Sequence, residues 1–373
     1  MKQSDGKESA KVGWMVSVAA LCTVLAACAA EPDELICGFK NVEDMVALPD
    51  SPWIIGSGIG DTYFQKGGLH LFDRETATGR KLTLDMTPGL EARAPYDACP
   101  GPADPEQFSA HGIGLKANAD GSHNLYVVNH GGRESIEIFE VSPGAKEPQF
   151  TWIGCIISPP NSTPNSVAAR SDGSVVMSAS YAGDFPMPSF AEIAKNGRPA
   201  SSGDREKIKE AMKYGAVFIW SHGQGWAKVP NSVLLGNNGI ELSADGKWAY
   251  VDSWPGASVT HMPLEPGLGK AHEIKLNFHP DNIRYAYNGK LVATGHAASG
   301  EEIGACVMST SHCAIDYKSA EIDPETYEVT ELFDGKGTKD FGIATIGLRT
   351  KEALWLGSVR SNCIARVDMP GGE

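Results

Sequence analysis

At 373 residues and a formal net charge of −14, the chain is long enough for one large domain, and its acidity excludes nucleic acid and anionic lipid as partners. Its eight cysteines include no Cys-x-x-Cys pair, which excludes a redox or zinc motif of that kind and favours structural roles. A Gly-x-Ser-x-Gly elbow, a His-Glu-x-x-His zinc motif and a Walker phosphate loop are also missing, so the common patterns for serine hydrolases, zinc proteases and nucleotide binding do not apply.

Residues 1–14 are polar with three lysines, and Met15 to Ala27 is apolar but too short to span a membrane as a stable helix. This is the pattern of a secretory signal. Its end, Leu25-Ala26-Ala27-Cys28, resembles a bacterial lipobox, in which Cys28 would become the lipidated first residue and tie the protein to a membrane. Ala29 in the next position suits the outer membrane; ordinary cleavage after Ala29 or Ala30 is the alternative, leaving a periplasmic protein. Removal of residues 1–27 takes away three lysines and two acids, so −14 becomes −15. Residues 28–36 then read as a short tether and 37–373 as a single domain, predicted to be a monomer.

Within that domain one register recurs: a polar residue, an apolar stretch, a tight turn seven residues on, then a β-rich run. Glu43-Asp44 leads to the turn Pro49-Asp50 and to Trp53-Ile54-Ile55. His111 leads less regularly to Asp120-Gly121 and to Leu125–Val128. Asn165 precedes Asp172-Gly173, Asn238 precedes Asp245-Gly246, and Asp281-Asn282 precedes Asn288-Gly289, each followed by its strand. A last, looser copy runs from Phe341-Gly342 to Thr350-Lys351 with no polar residue in the leading slot. Repeats of roughly 40 to 50 residues built from short strands and Asp-Gly turns predict an all-β, six-bladed β-propeller. Gly56-Ser57-Gly58-Ile59-Gly60 lacks the helix that a dinucleotide fingerprint needs and reads as a bend between strands.

In a propeller the leading residues of all blades face one another around the axis. Glu43, Asn165, Asn238, Asp281 and Asn282 would then form a ring of two carboxylates and three carboxamides, all oxygen donors. Such a set favours calcium over zinc or copper. The alternative is a plug of mutually hydrogen-bonded polar side chains, which must still bear the cost of two neighbouring buried carboxylates. Two insertions interrupt the repeat. Residues 86–107 form a loop rich in proline and acid, and 184–213 contains a predicted short helix over Asp204–Tyr214 that docks on the third blade or, as the family resemblance given next implies, lies over the active-site face.

The segments His111-Gly112-Ile113, Val127-Val128-Asn129-His130, Asn238-Gly239-Ile240 with Ser243-Ala244-Asp245-Gly246-Lys247, and Asp281-Asn282-Ile283 with Gly295-His296 resemble the paraoxonase/arylesterase family. That family lies within the wider gluconolactonase and SMP-30-like group of six-bladed propellers. The resemblance implies a catalytic calcium on Glu43, Asn165, Asn238, Asp281 and Asn282. It implies a second, structural calcium on Asp44, the backbone carbonyl of Ile113, and an aspartate at the position where this chain has Ser166. His111 and His130 would be a catalytic dyad that activates water, and His296 a substrate contact at the mouth. Phe185, Met187, Phe190 and Met212 in the second insertion would be an apolar substrate wall. A Cys37–Cys363 disulfide would close the ring; Cys306 with Cys313 would close a short loop, and Cys99 with Cys155 completes the set.

The expected activity is calcium-dependent hydrolysis of lactones or aryl esters. A histidine is the side chain most easily poised to take a proton near neutral pH, and the metal would polarise the carbonyl. Two alternatives remain open at this stage: a non-catalytic envelope propeller whose calcium only locks the ring, and a sugar-lactone hydrolase of the gluconolactonase type. The His111–His130 pair distinguishes the first, since a structural ion has no use for it.

Overall fold

A computed structural model describes residues 29–60, 66–144, 146–183, 206, 210–307 and 312–369. Six four-stranded antiparallel sheets follow one another along the chain. In five of them the strands pair in sequence order. In the last, Glu34–Cys37 pairs with Cys363–Asp368 as the outermost strand, beside Ala353–Ser358 and Ala344–Arg349. The propeller is thus closed by its own N-terminal strand. The sheet begins inside the segment read as a tether, and Ala30 already bridges to Gly335. Cys37 and Cys363 are directly opposite in that pair and are disulfide-bonded, as are Cys99–Cys155 and Cys306–Cys313. Three disulfides fit an oxidising, extracytoplasmic setting. Among the described residues no helix is long and apolar enough to cross a membrane.

The blades form because their strands have an apolar face on both sides. In Val175–Ala182, Val175 and Met177 pack toward the second blade while Val176 between them packs toward the fourth. Leu125 and Val127 likewise face the first blade, with Tyr126 and Val128 facing the third. A period of two thus serves two neighbours at once. Each of the six blade interfaces has its own core; the one between last and first blades contains Val42, Met45, Ile54, Phe72, Ile346 and Trp355. A fully buried branched side chain contributes roughly 1.5–3 kcal/mol, so a charge at Val176, which is 0 % exposed, would open an interface rather than weaken a surface.

Innermost strands run as Val42–Ala47, Ala110–Ala117, Ser162–Ala169, Asn237–Leu242, His279–Tyr285 and Ala344–Arg349. Antiparallel pairing puts the start of each beside the end of its second strand. One end of the ring therefore collects the blade-to-blade connections and the loops between second and third strands. One helix, Gly300–Val307, sits in such a loop. Ser299 and Glu302 cap it reciprocally: the Ser299 N–H donates to the Glu302 carboxylate at 3.0 Å and the Glu302 N–H to Ser299 Oγ at 3.3 Å. The Ser-x-x-Glu spacing was a legible helix start. In the second insertion, helical backbone at 210 and 211 leads into a single turn, Met212–Tyr214; residues 204, 205 and 207–209 of the expected 204–214 helix lie outside the described residues.

Candidate active site

Every innermost strand carries an extra residue at the same height. The ladder shifts between Val42 and Asp44, Ala110 and Ile113, Pro164 and Ser166, Asn237 and Ile240, Pro280 and Asn282, and Ala344 and Ile346. The residues left out of the pairing are Glu43, His111-Gly112, Asn165, Asn238-Gly239, Asp281 and Thr345. A bulge takes a residue off the pleat and re-aims its side chain, which is how the sequence register becomes an inward-facing ring. Thr345 fills the sixth position, where no polar leading residue was expected. It donates through Oγ1 to the Glu43 carbonyl at 2.7 Å. It also stands seven residues before Glu352, the same interval as in the four regular copies, so reading the last turn one residue later would have found it.

Blades approach closely here, and two glycines allow it. A Cβ on Gly112 would come within 2.3 Å of the Asn165 carbonyl, and one on Gly239 within 2.7 Å of Asn282 Cα. All five expected ring residues are buried: Glu43, Asn165, Asn238, Asp281 and Asn282 are between 0 % and 9 % exposed. Asn282 Nδ2 donates to Glu43 Oε1 at 2.7 Å. Four other oxygens, Glu43 Oε2, Asn165 Oδ1, Asn238 Oδ1 and Asn282 Oδ1, have no hydrogen-bond partner. Leaving such groups unsatisfied typically costs about 1–3 kcal/mol each, so a plug of mutually bonded side chains does not describe this ring. Burial pushes the Asp281 carboxyl well above the usual carboxylate range, and the nearby Glu43 and Asp252 push it further. Orphaned hard oxygens with crowded carboxylates are the donor set a calcium ion would satisfy. Among the described residues no group of three His, Cys, Asp or Glu is placed to hold an ion, so the set depends on its three carboxamides.

Beneath the ring, Asp44 is fully buried and its surroundings differ. Oδ1 accepts the Met45 N–H at 2.8 Å, and Oδ2 accepts the Ile113 N–H at 2.8 Å and a hydrogen bond from Arg284 Nη2. Burial pushes its carboxyl up to about 7, against the pull of Arg284 and the two N–H groups. The same Nη2 donates to the Ile113 carbonyl at 2.5 Å. Both residues expected to hold a second calcium thus contact one guanidinium, which the sequence reading did not anticipate.

On one side of the rim, His130 Nδ1 lies 2.6 Å from Glu134 Oε2, and His130 Nε2 lies 2.7 Å from His111 Nδ1. A carboxylate can only accept, so His130 carries its proton on Nδ1 and accepts at Nε2 from His111. His111 therefore presents the lone pair of Nε2 toward the ring, 3.6 Å from Glu43 Oε1. Glu134 was not singled out from sequence. Its four-residue spacing from His130 on the loop after His123–Asn129 was the available signal.

His296 on the opposite side has the reverse polarity. Trp254 Nε1, which can only donate, bonds to His296 Nδ1 at 2.9 Å. The proton of the neutral imidazole is therefore on Nε2, 3.3 Å from Asp281 Oδ2. Burial, with His279 nearby, pulls His296 down to about 3. Met212 is half-buried, and its carbonyl accepts the Gly236 N–H at 2.5 Å, two residues before Asn238. Phe185, Met187 and Phe190 lie outside the described residues, as does Cys28.

No protein-family model and no curated protein sequence matches the chain. Solved structures of several propellers resemble it. A calcium-binding protein, regucalcin, from Agrobacterium tumefaciens is 10 % identical over 92 % of this chain and 96 % of its own, with a TM-score of 0.48. A protein assigned to the gluconolactonases is 13 % identical over 91 % and 93 %, with a TM-score of 0.46. Virginiamycin B lyase from Staphylococcus aureus is 16 % identical over 70 % and 68 %, with a TM-score of 0.35. Likenesses at this level carry nothing about the chemistry of this chain. Its own strand pairing defines the class: a six-bladed β-propeller with a polar ring on its axis.

Proposed function

We propose that this protein is a calcium-dependent hydrolase of lactones or aryl esters, acting on a small molecule at the axial ring. The observation that supports it best is the convergence of four orphaned oxygens, on Glu43, Asn165, Asn238 and Asn282, with a histidine that presents a lone pair beside them. A calcium ion held there with Asp281 would polarise the substrate carbonyl and balance the charge that builds on its oxygen. His111 Nε2 takes a proton from the attacking water, and His130 passes the stabilising influence of Glu134 to the imidazolium that results. His296, kept as the Nε2–H form by Trp254, would donate a hydrogen bond toward Asp281 or the departing alkoxide, which takes up the proton held by the His111 imidazolium. Met212, half-buried and bonded through its carbonyl to Gly236, would stand at the wall of the mouth. The protein would act outside the cytoplasm as a monomer, tethered to the outer membrane through lipidated Cys28.

A direct test is hydrolysis of aliphatic lactones and phenyl acetate by the protein from residue 29 onward, with chelator and then with calcium added back. Activity lost and restored supports the metallohydrolase. Silence on every substrate, with calcium still raising the melting temperature, would make this a binding propeller with a structural ion.

A further inference from the structure

Arg284 is 5 % exposed, on the innermost strand of the fifth blade, and its guanidinium lies on the axis below the ring. Nη2 donates to Asp44 of the first blade and to the Ile113 carbonyl of the second; Nη1 donates to the Ile283 carbonyl at 2.8 Å and to the Ile240 carbonyl of the fourth blade at 3.4 Å. One side chain thus ties four of the six blades together. Its surroundings are acidic. Asp252 is 0 % exposed with both carboxylate oxygens lacking a hydrogen-bond partner, and Glu241 is close enough, like Asp252, to feel the guanidinium charge.

A second ion at Asp44 and the Ile113 carbonyl would need another carboxylate, and the residue available is Ser166, whose Oγ is buried without a partner. The charge balance is instructive. Two carboxylates with a divalent cation sum to zero, and so do one carboxylate and one guanidinium. With serine at 166 and arginine at 284, Asp44 meets a guanidinium where a second carboxylate and an ion would otherwise be needed, and a planar fork of donors suits two oxygens on neighbouring blades better than an ammonium would. We propose that the Arg284 guanidinium is a built-in cation that replaces a second metal ion, so that the protein holds divalent metal only in the upper ring. The upper-ring count rests on the function proposed above; the lower assignment rests on Arg284 alone.

Native mass spectrometry in calcium tests this by counting ions. The wild-type protein is expected to hold one, the Arg284→Ser/Ser166→Asp double variant two, and Arg284→Lys one. Two ions in the wild-type protein, or an unchanged count in the folded double variant, would overturn the inference. A count of none in the wild type would sink the metal ring instead; a rise to one in the double variant would then still support Arg284 as the lower cation, and no rise would refute it. Should the double variant fold only in calcium, the dependence is itself the expected result. Should it not fold at all, the wild-type and Arg284→Lys counts decide.

Discussion

The two imidazoles that flank the ring were given different roles from the sequence, His111 in a dyad and His296 as a substrate contact, but which nitrogen of each carries the proton is set only by the fold. His111 is backed by an imidazole and then a carboxylate, so its inner nitrogen is an acceptor. His296 is backed by an indole N–H, so its inner nitrogen is a donor. The same side chain is turned into a hydrogen-bond acceptor on one side and a donor on the other by the single atom behind it. In the proposed hydrolysis the acceptor would take a proton from water while the donor would hydrogen-bond the departing oxygen.

The largest effect should come from removing what both arms act upon. Asn238→Ala takes away one orphaned oxygen and should abolish bound calcium, read by elemental analysis, together with activity. Next comes His111→Gln, which should leave the ion in place and lower kcat by about two to four orders of magnitude. Equal activity in that variant would remove the base from the mechanism. Glu134→Gln should act more gently, at about tenfold in kcat. Its carboxamide oxygen can still accept the His130 proton, so the tautomer survives and only the negative charge is lost. A drop as large as that of His111→Gln would mean that Glu134 sets the geometry and not merely the field.

The blade count and the ring were legible because they rest on periodicity and on residue type at a fixed interval, whereas the pairing of His111 with His130 came from the family resemblance. Thr345 escaped because its turn, Lys351-Glu352, lacks the glycine or proline that marked the others. Arg284 escaped for a different reason. Nothing in Ile283-Arg284-Tyr285 says that the side chain crosses the axis, and its contacts lie 240 and 171 residues away in sequence. Glu134 and Trp254 are second partners of histidines, and such partners are set by tertiary placement of loops. The closing strand Glu34–Cys37 was missed because a four-residue strand at a chain end has too short a pattern to stand out from a tether.

His70 shows what burial does to an imidazole that has no such backing. It packs between Phe39 and Phe72 in the first blade with Nδ1 lacking a partner, and burial, assisted by Lys81, pulls it down to about 4. Below the unfolded value of 6.5 the unfolded chain binds a proton that the folded chain refuses, so this site is neutral to stability above that pH. As pH falls from there toward 4 it destabilises the fold, by at most about 3 kcal/mol. Urea denaturation in chelator at pH 7 and pH 4.5 should show a smaller acid-induced loss for His70→Gln than for the wild type. An equal loss would place the acid sensitivity elsewhere.

The smallest change separates the arms most sharply. Trp254→Phe keeps a ring beside His296, which it meets edge-on at 6.0 Å between centroids, and keeps the apolar contact with Ile303 and Ile343 beneath the capped helix. What it removes is one N–H. Without that donor nothing compels Nδ1 to be the acceptor, and the two neutral tautomers of His296 should become mixed. Only the fraction still protonated on Nε2 can donate toward the ring, so kcat should fall about two- to tenfold while calcium content and KM stay unchanged, since each tenfold corresponds to ~1.4 kcal/mol. Imidazole nitrogen chemical shifts would read the tautomer independently of turnover. If they show Nε2–H fully retained in the variant, the indole does not set the polarity of this arm. If the tautomer mixes and kcat does not move, the proton on His296 is not used in the reaction.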